Sequence, residues 1–95
     1  MKTIWKFDVP IQDDFSILMP DGAKILKLDL QFGEPKIWAL VDPDNEKKER
    51  FFIGRGTGHP MNETNICYVG TVVMTEGRFV FHLFEHPSNP HGDIE

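Results

Sequence analysis

The sequence predicts an all-β fold, a small antiparallel β sandwich or barrel of six to seven short strands. Apolar and polar residues alternate with a period of two along almost every segment, as they do in strands with one buried face. The 8 phenylalanines, 8 glycines and 7 prolines favour strands and turns over helices. A chain of 95 residues forms one core, so we expect a single β domain over residues 1–85 and a flexible tail over 86–95.

Two short strands are expected at the N-terminus. In TIWKFDV the apolar side chains of Trp5 and Phe7 share one face, and charged residues occupy the other. The apolar stretch FSILM forms the second strand. Proline presets its own backbone angle and glycine tolerates a left-handed one, so the segment from Pro20 to Gly22 predicts a turn.

The clearest strand is KILKLDLQF, in which every second residue is apolar: Leu26, Leu28, Leu30 and Phe32. A tight loop at Gly33-Glu34 would place Leu30 opposite Ile37. In that register the apolar faces of the two strands coincide, which supports a β hairpin.

A second hairpin is expected near the C-terminus, with Glu76-Gly77 as its loop. Met74 then pairs with Phe79 on a strongly apolar face, and Val69 lies opposite Phe84 on the reverse face. Because the reverse face is also apolar, the hairpin must lie between two layers or meet another chain. We expect a protein interface there, including self-association, formed by Val69, Val73, Val80, His82 and Phe84.

Charge and cysteine content exclude several classes of function. The formal net charge of −5 argues against nonspecific nucleic-acid binding, which requires clustered cations. Cys67 is the single cysteine, so the chain forms no internal disulfide and no cysteine-rich zinc site, which fits a reducing cytosol. No run approaches the roughly 20 apolar residues of a membrane span. We therefore expect no membrane partner.

The stretch GRGTGHP contains the residues that most resemble a site: Arg55, Gly56, Thr57, Gly58, His59 and Pro60. One interpretation is structural, with Gly56 and Gly58 in left-handed conformations at a strand end. The other is a ligand or partner contact, because special loops often carry function. Its sharpest form is a nucleotide phosphate held by loop amides and Arg55.

No constellation of residues predicts catalysis or a cofactor. The serines and Cys67 lack a neighbouring base, and the acidic residues belong mostly to turns. His82 lies in a strand and His86 follows its end, so the two do not converge on a metal. We expect no metal site, and His82 beside Thr71 with one ring nitrogen hydrogen-bonded.

The ordered motifs KTIWKF, MPDGAKIL, WALVDP, GTGHP, YVGT and HLFE resemble a family of small uncharacterised bacteriophage and prophage proteins. The likeness covers about residues 2–85, with Gly56 to Pro60 matching the GTGHP motif. The resemblance implies a phage-encoded protein that acts in the host bacterial cytoplasm or in the virion.

These observations favour a non-enzymatic phage accessory protein that binds a host or phage protein, with counteraction of host defence as one role. Two alternatives remain open. The protein could bind a small ligand and sequester a nucleotide immune signal of the host, or it could be a minor structural protein of the virion.

Overall fold

A computed structural model describes residues 1–87, which form seven strands and no helix. The strands are β1 (Thr3–Asp8), β2 (Asp14–Pro20), β3 (Lys24–Gln31), β4 (Glu34–Val41), β5 (Lys47–Gly56), β6 (Cys67–Met74) and β7 (Phe79–His86). The prediction of an all-β fold with short strands is confirmed.

The strands form two antiparallel sheets, with orders β1-β4-β3 and β2-β5-β7-β6. The sheets pack as a small sandwich, and the described strands do not close into a barrel. Each strand contributes alternate residues to the space between the sheets. The fully buried side chains include Met19, Ile37, Val41, Phe52 and Leu83. Burial of these side chains is the main favourable term in folding.

The β3–β4 hairpin forms, but the predicted register is wrong. Its loop is Phe32-Gly33, and Leu30 lies opposite Pro35 instead of Ile37. A shift of two residues keeps each side chain on its expected face, because the side-chain period of a strand is two. A β-bulge lies between Ile25 and Lys27. The residues of β3 that precede Lys27 therefore point to the opposite sheet face from the one predicted.

Phe32 was expected on the buried face, and this expectation is also wrong. Its φ is 52° and that of Gly33 is 79°, the pair of positive angles required by a type I′ hairpin turn. The turn places the Phe32 side chain in solvent, 98% exposed.

The β6–β7 hairpin has the predicted register over most of its length. Met74 lies opposite Phe79 and Gly70 lies opposite Leu83. A bulge between Tyr68 and Gly70 breaks the register near the start of β6, so Tyr68 and not Val69 lies opposite Phe84.

The structure describes the chain as far as residue 87, one residue after β7. This strand includes His86, so the first residue of the predicted tail belongs to the sheet. The rest of that tail, from residue 88, lies outside the described residues. Residues 1–87 contain no helical segment with the length and apolarity to span a membrane.

Candidate functional site

The candidate residues meet on one surface, the side of the four-stranded sheet that faces away from β1, β4 and β3. We call it the outer face and define it by Tyr68, Val73, Val80, His82 and Phe84. Strand alternation places these side chains opposite the buried residues of β6 and β7. Residues 57–66, which connect β5 to β6, border this face.

Part of the outer face is covered by the chain itself. Ile53 alternates in β5 with the core residue Phe52 and therefore points outward, yet its exposure is 0%. The connecting segment is held against this part of the sheet by an ion pair between Arg55 Nη2 and Glu63 Oε2 at 2.7 Å. The five residues that define the outer face lie beside this connecting segment.

The GTGHP turn is closed by His59. The His59 backbone N–H donates to the Gly56 carbonyl at 3.2 Å, and the Gly56 N–H donates to His59 Nδ1 at 3.3 Å. Gly58 has a φ of +88°, as the structural interpretation predicts, but Gly56 is not left-handed. Gly56 instead provides space, because a Cβ there would lie 2.9 Å from His59 Cε1. Two of the backbone amides proposed to bind a phosphate, those of Gly56 and His59, therefore already donate hydrogen bonds within the turn.

The Arg55 guanidinium is occupied by the protein. Its Nη1 donates to the carbonyls of Asp13 at 2.8 Å and Gly54 at 2.9 Å, and its Nη2 binds Glu63. Only 13% of the side chain is exposed. Arg55 therefore fixes the connecting segment to β5 and to the start of β2.

Glu63 stays ionised as the partner of Arg55. Its own backbone N–H, and then the charge of Arg55, hold the pKa of the Glu63 carboxyl below its ordinary value, against the opposite effect of desolvation. Glu63 was not among the predicted site residues, because its role depends on Arg55 in the preceding strand.

His82 lies at the centre of a hydrogen-bonded chain. Its Nε2 lies 2.7 Å from Thr57 Oγ1, and its Nδ1 lies 3.0 Å from Thr71 Oγ1. Thr71 Oγ1 also lies 2.6 Å from the Tyr68 hydroxyl. The neighbour Thr71 was predicted correctly, but both ring nitrogens are bonded and not one. The chain joins the turn after β5 to β7 and β6.

The exposed part of the outer face is largely apolar. Tyr68 is 63% exposed and Val73 is 53% exposed, and the rings of Tyr68 and Phe84 lie 5.6 Å apart. Val80 and Phe84 are half-buried. Val69, which was predicted on this face, packs against the inner core because of the bulge. Tyr68 takes its place and was missed by the sequence analysis.

A recess of about 210 Å³ lies between the GTGHP turn and β7. Its accessible lining is mostly apolar and comes from Arg55, Gly56, Thr57, Gly58, His59, Met61, His82 and Phe84. Pro60 is exposed and does not line it. Most of the predicted ligand loop and two of the predicted interface residues therefore meet at this recess.

Among residues 1–87, no three His, Cys, Asp or Glu side chains gather closely enough to hold a metal ion.

Comparison with known protein families assigns the chain to one of them. The family described as a domain of unknown function (DUF7352) matches residues 1–93. The chain belongs to the DUF7352 family. The DUF7352 match extends beyond residues 2–85, the stretch that carries the quoted motifs, and thus includes most of the predicted tail. No curated protein and no solved structure matches the chain.

Proposed function

We propose that this DUF7352 protein is a non-catalytic binding protein that docks onto another protein through its outer face. The observation that carries this proposal is the exposure of Tyr68, which lies beside Phe84, and of Val73 on the same face. Aromatic and aliphatic side chains without charges among them are typical of the cores of protein interfaces. Tyrosine in particular is enriched at the positions that dominate binding energy.

The composition of β6 supports the same proposal. Four strands lie at sheet edges, and such edges usually carry charges or proline that prevent unwanted pairing. β1 contains Lys6, β2 contains Asp14 and β3 contains Lys24, whereas β6 contains no charged residue and no proline. An edge strand without charge or proline, beside an apolar face, fits a strand that meets a partner.

The likeness of the short motifs to small phage and prophage proteins supports a phage accessory role. In that setting the partner is a host or phage protein in the bacterial cytoplasm, or a second copy of the chain, and interference with host defence is one consequence of binding. Sequestration of a nucleotide has weaker support, because Arg55 and the amides of Gly56 and His59 are already bonded within the protein.

A matched pair of variants tests the docking surface. Val73 on β6 is 53% exposed and Ile4 on β1 is 56% exposed, so Val73→Asp and Ile4→Asp place the same charge at similar sites on opposite sheets. Tagged proteins are expressed in bacteria, and co-purifying proteins, including an untagged copy of the chain, are quantified by mass spectrometry. We expect wild type and Ile4→Asp to retain their co-purifying proteins and Val73→Asp to lose them. The three proteins should have equal melting temperatures, so that unfolding does not explain the loss. Equal recovery by all three would contradict the proposal.

A further inference from the structure

Ile53 is an apolar side chain on the outer side of the four-stranded sheet that solvent does not reach. Its exposure is 0%. Its neighbour across the sheet, Phe84, is half-buried, and the next one, Tyr68, is 63% exposed. The three side chains form one apolar row across β5, β7 and β6. This row is closed at its Ile53 end and open at its Tyr68 end.

The connecting segment, residues 57–66, is the part of the chain that crosses this side of the sheet. β5 and β6 both pair antiparallel with β7, so they run parallel to each other. A connection between parallel strands must return along the sheet from one end to the other. The inner face packs against the three-stranded sheet, so the segment crosses the outer face. Arg55 lies two residues beyond Ile53 on the same side of β5, and its ion pair with Glu63 places the segment at Ile53.

The connecting segment is held by few contacts. Eight of its ten residues are exposed, and in the described part of the chain no backbone–backbone hydrogen bond involves residues 60–66. Its side-chain attachments to the sheet are Glu63 with Arg55 and Thr57 with His82. The second carboxylate oxygen of Glu63, Oε1, is buried and makes no hydrogen bond to the described chain, which is unfavourable for a polar atom. The closed position of the segment is therefore only weakly stabilised.

The connecting segment is also longer than the gap that it spans. Gly56 lies level with Phe81, and Cys67 lies level with Glu85. These two ends are separated by about 14 Å along β7 and by about 10 Å across two strand spacings, or about 17 Å in a straight line. The chain from residue 56 to residue 67 extends to about 36 Å. The segment can therefore move away from the sheet while β5 and β6 remain paired.

We infer that the connecting segment is a displaceable cover, which moves off the outer face and opens the row of Ile53, Phe84 and Tyr68 to a docking protein. The inference rests on the proposed function and adds how the docking surface is regulated. An apolar side chain of the docked protein takes the place of the segment over Ile53 and keeps the segment displaced. Because only the open form offers the full row, the closed fraction of molecules weakens the apparent affinity.

Thiol labelling measures the opening without a docking protein. Cys67→Ser removes the natural thiol, and Ile53→Cys, Val41→Cys or Ile4→Cys then supplies a single reporter. Position 41 is 1% exposed in the core and reports global unfolding, whereas position 4 is 56% exposed and gives the intrinsic rate of the reagent. Circular dichroism and melting temperatures verify that each variant folds. We expect position 53 to react at least about tenfold faster than position 41, because local opening requires less free energy than global unfolding.

A matched pair of variants tests the attachment of the segment. Glu63→Ala removes the ion pair with Arg55, whereas Glu46→Ala removes the same charge from the exposed loop before β5. We expect Glu63→Ala to accelerate labelling at position 53 at least about threefold and to leave position 41 unchanged. In the capture experiment described for the docking surface, Glu63→Ala should recover at least about threefold more of the proteins captured by wild type when bait is limiting. Glu46→Ala should match wild type in both measurements.

Three results would overturn the inference. Position 53 could be labelled as slowly as position 41, Glu63→Ala could accelerate both positions equally, or Glu63→Ala could capture no more protein than Glu46→Ala. The proposed function fails by a different result, which is equal capture by wild type and Val73→Asp. The labelling rates do not depend on that result, so the two failures are distinguishable.

Discussion

Thr57 Oγ1 lies 2.7 Å from His82 Nε2, and this hydrogen bond ties the turn after β5 to the middle of β7. The other ring nitrogen of His82 reaches Thr71 on β6. Hydroxyl groups can donate or accept, so the imidazole keeps two partners whether it is neutral or protonated. The turn and both strands of the outer face are therefore held together by one side chain.

Thr57→Val is expected to lower the free energy of unfolding by about 1 kcal/mol, because it removes one hydrogen bond and leaves His82 Nε2 without its hydroxyl partner. Urea denaturation monitored by tryptophan fluorescence measures the change. Thr64→Val alters an exposed threonine in the same connecting segment and should have little effect. Equal losses in the two variants would show that the bond to His82 contributes nothing specific.

Gly54→Ala is expected to destabilise the protein by about 3 kcal/mol or more, through overpacking of the core. A Cβ at Gly54 would lie 2.3 Å from Phe81 Cζ and 2.4 Å from the Gln12 carbonyl oxygen, and the backbone atom cannot easily move. At Gly56 the three atoms nearest to an added Cβ all belong to the His59 side chain, which can rotate. Thermal unfolding should therefore show a much larger fall for Gly54→Ala than for Gly56→Ala, and similar falls would refute this account.

The strands could be predicted because apolar and polar residues alternate regularly along them. The predicted pairing of the β3–β4 and β6–β7 hairpins failed at the points where the backbone departs from regular hairpin geometry. The pattern around Glu76-Gly77 gave the correct pairing as far as Gly70, where the bulge begins. Around Gly33 the alternation includes Phe32, which the turn removes from the strand. Nothing in the residue type of Phe32 indicates a positive φ, because phenylalanine disfavours it.

The candidate site was predictable only in part, for a related reason. The GTGHP residues were recognised by their composition, and Val73, Val80, His82 and Phe84 by strand alternation. Tyr68 was missed because a bulge reverses the faces at that point of β6. Glu63 was missed because its partner Arg55 is brought to it by the fold.

Replacement of Glu63 by glutamine is expected to reduce the dependence of stability on acid pH. The pKa of Glu63 is lowered in the folded protein, so its ionised form contributes stability above the unfolded pKa, and this contribution is lost as pH falls through the folded pKa. Urea denaturation of wild type between about pH 6 and pH 3 should thus show a larger loss than that of Glu63→Gln. Parallel curves for the two proteins would indicate that Glu63 is not stabilised in its charged form.

Phe32→Asn is expected to raise the free energy of unfolding of the monomer by about 1 kcal/mol, because asparagine tolerates the left-handed backbone that phenylalanine resists. Phe32→Ala is the matched variant, since it removes the exposed ring but leaves a Cβ residue poorly suited to φ of 52°. Denaturation at low protein concentration keeps association out of the measurement. The asparagine variant should be the most stable of the three proteins, while the alanine variant should lie near wild type. If asparagine gave no advantage over alanine, the turn would not be strained at Phe32.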